Sequence, residues 1–342
     1  MNSYRIGIGM ETKIDFVIPW VDGNDEQWRK EKQKYDTKIQ VDDSEIRYRD
    51  WDNLQYWFRA VEQYAPWVNK IYFITWGHVP KWLDITNPKL VIVNHRDYIP
   101  EKYLPTFSSH PIELNFHRIP GLSEQFVYFN DDMFLTRTVK PEDFFVNGIP
   151  KDCCVESAVM QDKYNDPFAH ILLNNCAVIN MHYNKRTVVK TQWKKWFSPV
   201  YGEFMLRNLL MYPYKQFSSF KFFHIPSAFL KESFQAVWEL EPELLDEVCC
   251  NKFRCAFDVN QYLIKYYQFV TGKFIPQSPK AGKFFIPGRE NDTEMCEAIQ
   301  KQTYQMVCIN DDGREENFEE IKEKVIASFQ KILPNKSSFE RG

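Results

Sequence analysis

The sequence predicts an α/β fold, with a mainly parallel sheet and flanking helices over the first 150 residues and a helical subdomain after them. Three observations carry this. The runs IDFVIPWV (14–21), KIYFITWG (70–77), KLVIVNH (89–95) and QFVYFN (125–130) have the length and residues of strands. Each is nearly continuous in apolar character, as strands covered on both faces are. Helical periodicity separates some of them and dominates beyond residue 150, the order expected of a layered α/β core.

The elements follow in order. Strand 14–21 runs into the turn DGND, and Pro19 sits near its end, where a ladder donor can be spared. Residues 25–38 are charged and read as a helix. In 51–65, Leu54, Phe58, Val61 and Ala65 share one helical face, and Pro66 stops the helix. Beyond the strand at 125–130, helices are expected at 186–212, 228–250 (one or two), 258–270 and 315–332. The last carries Ile321, Val325 and Phe329 on one stripe. Gly and Pro scattered through 271–292 suggest an irregular loop. There is no internal repeat and no low-complexity tract. The segmentation is an extension at 1–12, a core at 13–150, a mainly helical subdomain at 151–300, and a C-terminal segment, 301–342, returning to the core.

Bulk properties narrow the function. The formal net charge is −3, which does not favour a nucleic-acid binder. Aromatic residues reach 16%, enough to fill a core and to furnish sugar- or base-stacking surfaces. The eight cysteines form no CxxC pair and include the adjacent pairs Cys153–Cys154 and Cys249–Cys250, which argues against a zinc site or a disulfide framework. A reducing compartment follows. The start, MNSYRIGIGMETK, lacks a signal-peptide pattern, and no apolar run approaches the ~20 residues of a membrane span. The expected location is cytoplasmic, with any membrane contact peripheral.

Several clusters carry chemical content. WVDGND sets Asp22 and Asp25 around Gly23 at the carboxyl end of the first strand, the edge where open α/β sheets bind ligands. A plain turn with a helix N-cap explains the same residues. FNDDMF places Asp131 and Asp132 after another strand, inside a strongly apolar stretch. Adjacent carboxylates raise each other's pKa unless a cation neutralises them, and oxygen ligands suit Mg²⁺ or Mn²⁺. Here too a capped turn is the competing reading. LPTFSSHPIELNFHRIPG offers Ser108 or Ser109 as a cap, His110, and Glu113 with His117 four residues on, plus Arg118. FFHIPSAF contributes His224, and RCAFD sets Arg254 four residues before Asp258, a spacing that also suits a solvated helix pair. CINDDG is a second acidic turn, short of an EF-hand loop. No Gly-rich phosphate loop, HExxH or GxSxG is present.

Taken in this order, the segments resemble the Stealth family. That family comprises sugar-1-phosphate transferases of bacterial capsule synthesis and includes the catalytic subunit that tags lysosomal enzymes with N-acetylglucosamine-1-phosphate. The resemblance rests on IDFVIPWVDGND, on the stretch from RYRDWDNLQYWFRAVEQY through LPTFSSHPIELNFHRIPGLSEQFVYFNDDMFL, on HIPSAFLKESFQAVWELEPELL with FRCAFDVNQYLIKYY, and on CINDDGREENFEEIKEKVIASFQ. The large inserted modules of the animal member are absent. Some relatives carry Asn at the position of Asp22, which argues against an obligatory metal role there. Residues 151–215 match little, and acceptor specificity is expected among them.

The resemblance implies a nucleotide-sugar-binding α/β core similar to the metal-dependent glycosyltransferase (GT-A-like) fold, with 151–300 as the acceptor and catalytic part. It implies attack by an acceptor sugar hydroxyl on the β-phosphate of a UDP-sugar, with UMP leaving. Asp131 and Asp132 would hold the metal. Trp20, Asp22, Gly23, Asp25, Asn130 and Asn310 would line the donor site, with Trp76 a further stacking candidate. His224 would act as general base, Arg254 would neutralise phosphate charge, and His117 is a further catalytic candidate. Capsule acceptors are often lipid-linked, so peripheral contact with the inner face of the cell membrane is compatible with this reading. An ordinary glycosyltransferase releasing UDP would use the same acidic edge, and a non-catalytic carbohydrate-binding protein is the third alternative.

Overall fold

The computed structural model describes residues 13–35, 48–161, 167–288, 292–311, 313 and 317–342. The start of the chain, including the segment expected as an extension, lies outside the described residues.

The central sheet uses β1 (Ile14–Pro19), β2 (Ile71–Thr75), β3 (Leu90–Asn94) and β4 (Gln125–Tyr128), all parallel. These are the predicted strands, trimmed at their ends. Short strands follow: β5 (Met133–Leu135), β6 (Phe145–Val146), β7 (Ile149–Asp152), β8 (Ser227–Leu230), β9 (Ile275–Pro276), β10 (Gly282–Phe285) and β11 (Met306–Ile309). The central order is β3-β2-β1-β4-β8, with β8 antiparallel to β4. The chain therefore steps outward from β1 to β3, then returns to the other side of β1 as β4. The crevice outside the carboxyl ends of β1 and β4 is thus the topological switch point, where open α/β sheets bind ligands.

Side chains alternate across this sheet. Phe16 and Ile18 enter one apolar layer and Val17 the other. The first layer receives the helix Leu54–Tyr64, whose Leu54, Phe58 and Val61 are buried with Ala65 as the periodicity required. It also receives the C-terminal helix Phe318–Ile332 through Ile321, Val325 and Phe329. The second layer is filled by the helices of residues 167–270. At the amino edge of β1, fully buried Asp15 accepts hydrogen bonds from Asn69 Nδ2 (2.6 Å) and Ser123 N (2.7 Å), a structural tie far from the switch point.

Three local expectations change. Residues 228–230, read from sequence as the start of a helix, belong instead to β8, because they complete the ladder beside Tyr128; helices Lys231–Leu240 and Pro242–Cys250 follow. The stretch 271–292 contains β9 and β10 instead of only loop. Residues 167–182 form a helix that had no clear signal, since PFAHILLNNCAVINMH is apolar on most sides.

Candidate active site at the carboxyl edge of the sheet

Asp132 is the hub. It follows β4 and immediately precedes β5, whose antiparallel pairing sets Met133 opposite Cys308 and brings the end of β11 alongside. Ile309 N donates to the Asp132 carbonyl (2.9 Å), and Asn310 Nδ2 donates to Asp132 Oδ2 (3.2 Å). His224 arrives from a third direction. Because β8 runs antiparallel to β4, with Ser227 facing Tyr128, the residues just before β8 lie at the carboxyl edge of β4. His224 Nε2 sits 3.3 Å from Asp132 Oδ2, and its Nδ1 sits 3.4 Å from the Tyr262 hydroxyl. A tautomer with the proton on Nε2 satisfies both contacts. His224 holds a left-handed backbone (φ 42°), its ring stacked on Phe222 and met edge-on by Phe284.

The second oxygen of Asp132, Oδ1, is buried and has no hydrogen-bond partner. A buried carboxylate oxygen left bare is costly and marks a place where a ligand would be bound. Burial opposes charge on Asp132, but His224, Asn310 and Cys308 outweigh it and hold the carboxyl below its ordinary value. Asp131 is pushed the other way, up to about 7, by burial and then by the charges of Asp132 and Asp50. By surface area Asp131 is exposed. Solvent at this exposed side chain tempers the rise. The same charge system reaches Asp50, whose carboxyl is raised by burial and by nearby Asp52 and Asp22.

Asp132, His224 and Cys308 place one donor atom each within 4.8 Å of one another. This cluster could hold a metal ion. Burial and Asp132 raise the Cys308 thiol well above its ordinary pKa, so it would become a ligand only to an ion that displaces its proton. The oxygen atoms of Asp131 and Asp132 with the bare Oδ1 fit a hard cation better.

At the end of β1 the predicted pair divides its work. Asp25 accepts from Trp28 N (2.7 Å), capping the helix Glu26–Gln33, and Asp22 accepts from Asn24 N (2.8 Å) in the turn. Both are what a capped turn requires. Both also face His78, which sequence reasoning passed over: its Nε2 accepts from Asp22 N (2.8 Å), and its Nδ1 lies 3.9 Å from Asp25 Oδ2. Burial lowers the His78 pKa against the pull of these aspartates. Trp20 and Trp76 both contact His78, so the tryptophans frame the turn. Gly23 is required for packing, since a Cβ there would lie 2.5 Å from the Tyr48 backbone oxygen.

The serine- and histidine-rich segment resolves differently from its spacing. The helix Ser109–Leu114 ends before His117, so Glu113 and His117 do not share a face. Glu113 turns to the site: the Tyr128 hydroxyl lies between Glu113 Oε1 (3.0 Å) and Asn130 Oδ1. His117 instead packs against Phe234 and Trp238, and burial lowers its pKa to about 4. Arg254 and Asp258 are not a solvated helix pair, because residues 251–260 are not helical there. Asp258 is fully buried against His110 Nδ1 (2.8 Å) and Asn251 Nδ2 (2.7 Å), while Arg254 Nη2 donates to Ser109 Oγ (2.9 Å).

All eight cysteines are free, and among the described residues no helix is long and apolar enough to cross a membrane.

Comparison with known proteins matches the sequence to one named family. The model described as "Stealth protein CR1, conserved region 1" matches residues 12–40, and "Stealth protein CR2, conserved region 2" matches residues 47–152. A capsular polysaccharide phosphotransferase of Streptococcus pneumoniae is 44% identical over 335 residues, covering 97% of this chain and 100% of that protein. An exopolysaccharide phosphotransferase of Lactiplantibacillus plantarum is 39% identical over 330 residues, with 96% of each covered. Among solved structures, a galactosyltransferase, LgtC, in complex with donor and acceptor sugar analogs is 8% identical with a TM-score of 0.37, covering 92% of this chain and 95% of that one.

Proposed function

The chain belongs to the Stealth family and is a phosphotransferase, and from that premise we propose that it transfers a sugar-1-phosphate from a UDP-sugar to a hydroxyl of an acceptor saccharide, in the synthesis of a capsular or cell-surface polysaccharide. The acceptor oxygen attacks the β-phosphorus. The bond from that phosphorus to the oxygen bridging the two phosphates breaks, and UMP leaves with that oxygen. The product is a sugar–phosphate–saccharide diester. Such transfer needs little covalent help from the protein; it needs positioning and charge neutralisation.

The observation that carries this reading is the bare, buried Oδ1 of Asp132 beside Asp131 at the switch point. Asp131 and Asp132 would hold Mg²⁺ or Mn²⁺, which when bound neutralises the diphosphate. Trp20, Asp22, Gly23, Asp25, Asn130 and Asn310 line the donor side. The acceptor hydroxyl gives its proton to His224 Nδ1, where the 3.4 Å contact from Tyr262 holds the lone pair only weakly. Nε2–H stays on Asp132, whose charge stabilises the imidazolium that forms. Arg254, which donates to Ser109 Oγ in the first turn of the Glu113 helix, supplies positive charge. His117 has no part in this assignment, since its ring is committed to an apolar pocket.

The test is to incubate the protein with a UDP-sugar, a divalent cation and capsule oligosaccharides, and to identify the nucleotide released. UMP is expected. UDP would replace this reading with an ordinary glycosyltransferase.

A further inference from the structure

The helix Met205–Met211 is built inside out. Its one buried side chain is Asn208, whose amide donates to the carbonyls of Trp196 (2.6 Å) and Cys154 (2.9 Å) and accepts from Glu156 N (2.7 Å). Its leucines point outward: Leu206, Leu209 and Leu210, at the i, i+3, i+4 spacing of one face, are 59%, 48% and 73% exposed. A helix normally buries that stripe. Seven of the thirteen large apolar side chains exposed among the described residues fall between residues 193 and 214, including Trp193, Val200 and Tyr214.

The charge around this patch is as unusual as its apolarity. Residues 185–221 contain eight lysines and arginines and a single acid, Glu203, in a chain whose formal net charge is −3. Lys190, Lys194, Arg207 and Lys215 are exposed there, and Lys194 lies over the Trp193 ring.

We propose that this face docks on an anionic lipid bilayer, inserting the Leu206–Leu209–Leu210 stripe with tryptophan and tyrosine at the headgroup level and the basic residues against lipid phosphates. Protruding leucines beside basic side chains are the composition of interfacial membrane anchors. A second copy of this chain is disfavoured because the two basic faces would repel. The patch adjoins the catalytic edge: Phe204, just before the helix, packs edge-on against Phe223, the neighbour of His224. A lipid-linked acceptor would therefore be presented beside the proposed base. That consequence rests on the proposed activity; the docking surface itself does not.

The test is co-sedimentation of the full chain with phosphatidylcholine vesicles with and without phosphatidylglycerol, read beside light scattering and circular dichroism. Binding is expected only with phosphatidylglycerol, weakening as salt rises. Leu206→Asp with Leu210→Asp should cut the bound fraction by about tenfold or more, with an unchanged circular dichroism spectrum and unchanged turnover on a water-soluble acceptor. Lys190→Glu with Lys194→Glu leaves the leucines in place and should weaken binding too, so one misfolded variant does not end the test. No binding to anionic vesicles overturns the proposal, as does binding indifferent to both variants. Self-association that the leucine variant abolishes, without vesicle binding, assigns the face to a second copy instead.

Discussion

Asp132 is asked to stay ionised in a crowded place while leaving one oxygen bare. It does so because Nε2–H of His224 and the Asn310 amide converge on its other oxygen. Asp132→Asn keeps the shape and removes the charge, so turnover should fall at least about a hundredfold with the fold intact; turnover near wild type would remove the metal assignment. His224→Ala should lower kcat far more than it raises the donor KM, by about 10²–10⁴ in kcat for a lost general base. Equal loss of both would count against the base role. Cys308→Ser separates hard from soft metal chemistry. With Mg²⁺ or Mn²⁺ on oxygen ligands, turnover should change only about a few fold, whereas collapse would point to a thiolate-bound ion. Asp131 and Asp132 were legible as a polar break in apolar sequence, His224 as a lone histidine before a proline, and Asn310 only through the family resemblance. Their convergence was not, because Asn310 and His224 lie 178 and 92 residues from Asp132 in the chain. Tyr262, Cys308, His78 and Asp50 carried no local signal beyond lying in, or just after, the marked segments.

The strongest strands were readable as nearly continuous apolar runs, and the two stripe-bearing helices because each repeats its period over many residues. The short strands β8, β10 and β11 were not, since four residues make no pattern and only their partners define them. The first βα turn shows how one element serves two readings. Asp25 caps its helix and also faces His78. Asp25→Ser retains a capping oxygen, so stability should hold within about 0.5 kcal/mol in urea unfolding, while the donor KM should rise if the carboxylate lines the donor site. An unchanged KM would leave Asp25 a cap alone. Gly23→Ala must displace Tyr48 backbone and should cost about 1–3 kcal/mol; a neutral result would contradict the packing described.

Two histidines outside the site, His95 buried and His117 half-buried, make the whole molecule acid-sensitive. Burial lowers the pKa of His95 to about 3 and of His117 to about 4, from an ordinary 6.5. The unfolded chain therefore takes up these protons first. The stability they contribute is complete above 6.5 and is lost as pH falls through 6.5 toward 3–4, at up to about 1.4 kcal/mol per pH unit for each histidine. Urea midpoints should drop across that window, and His95→Asn should flatten the drop; an unchanged slope would contradict this account. At this scale the α/β class and the layered core were legible, because nearly continuous apolar strands demand cover on both faces. The switch point was not, because it depends on strand order.

The central claim is that phosphorus moves with the sugar. The most direct measurement uses a UDP-sugar radiolabelled only in its β-phosphorus, with wild-type protein and a saccharide acceptor. The account predicts that the label appears in the saccharide product, in a phosphodiester, with unlabelled UMP released. Label retained in the free nucleotide, with an unlabelled glycosylated product, would contradict it.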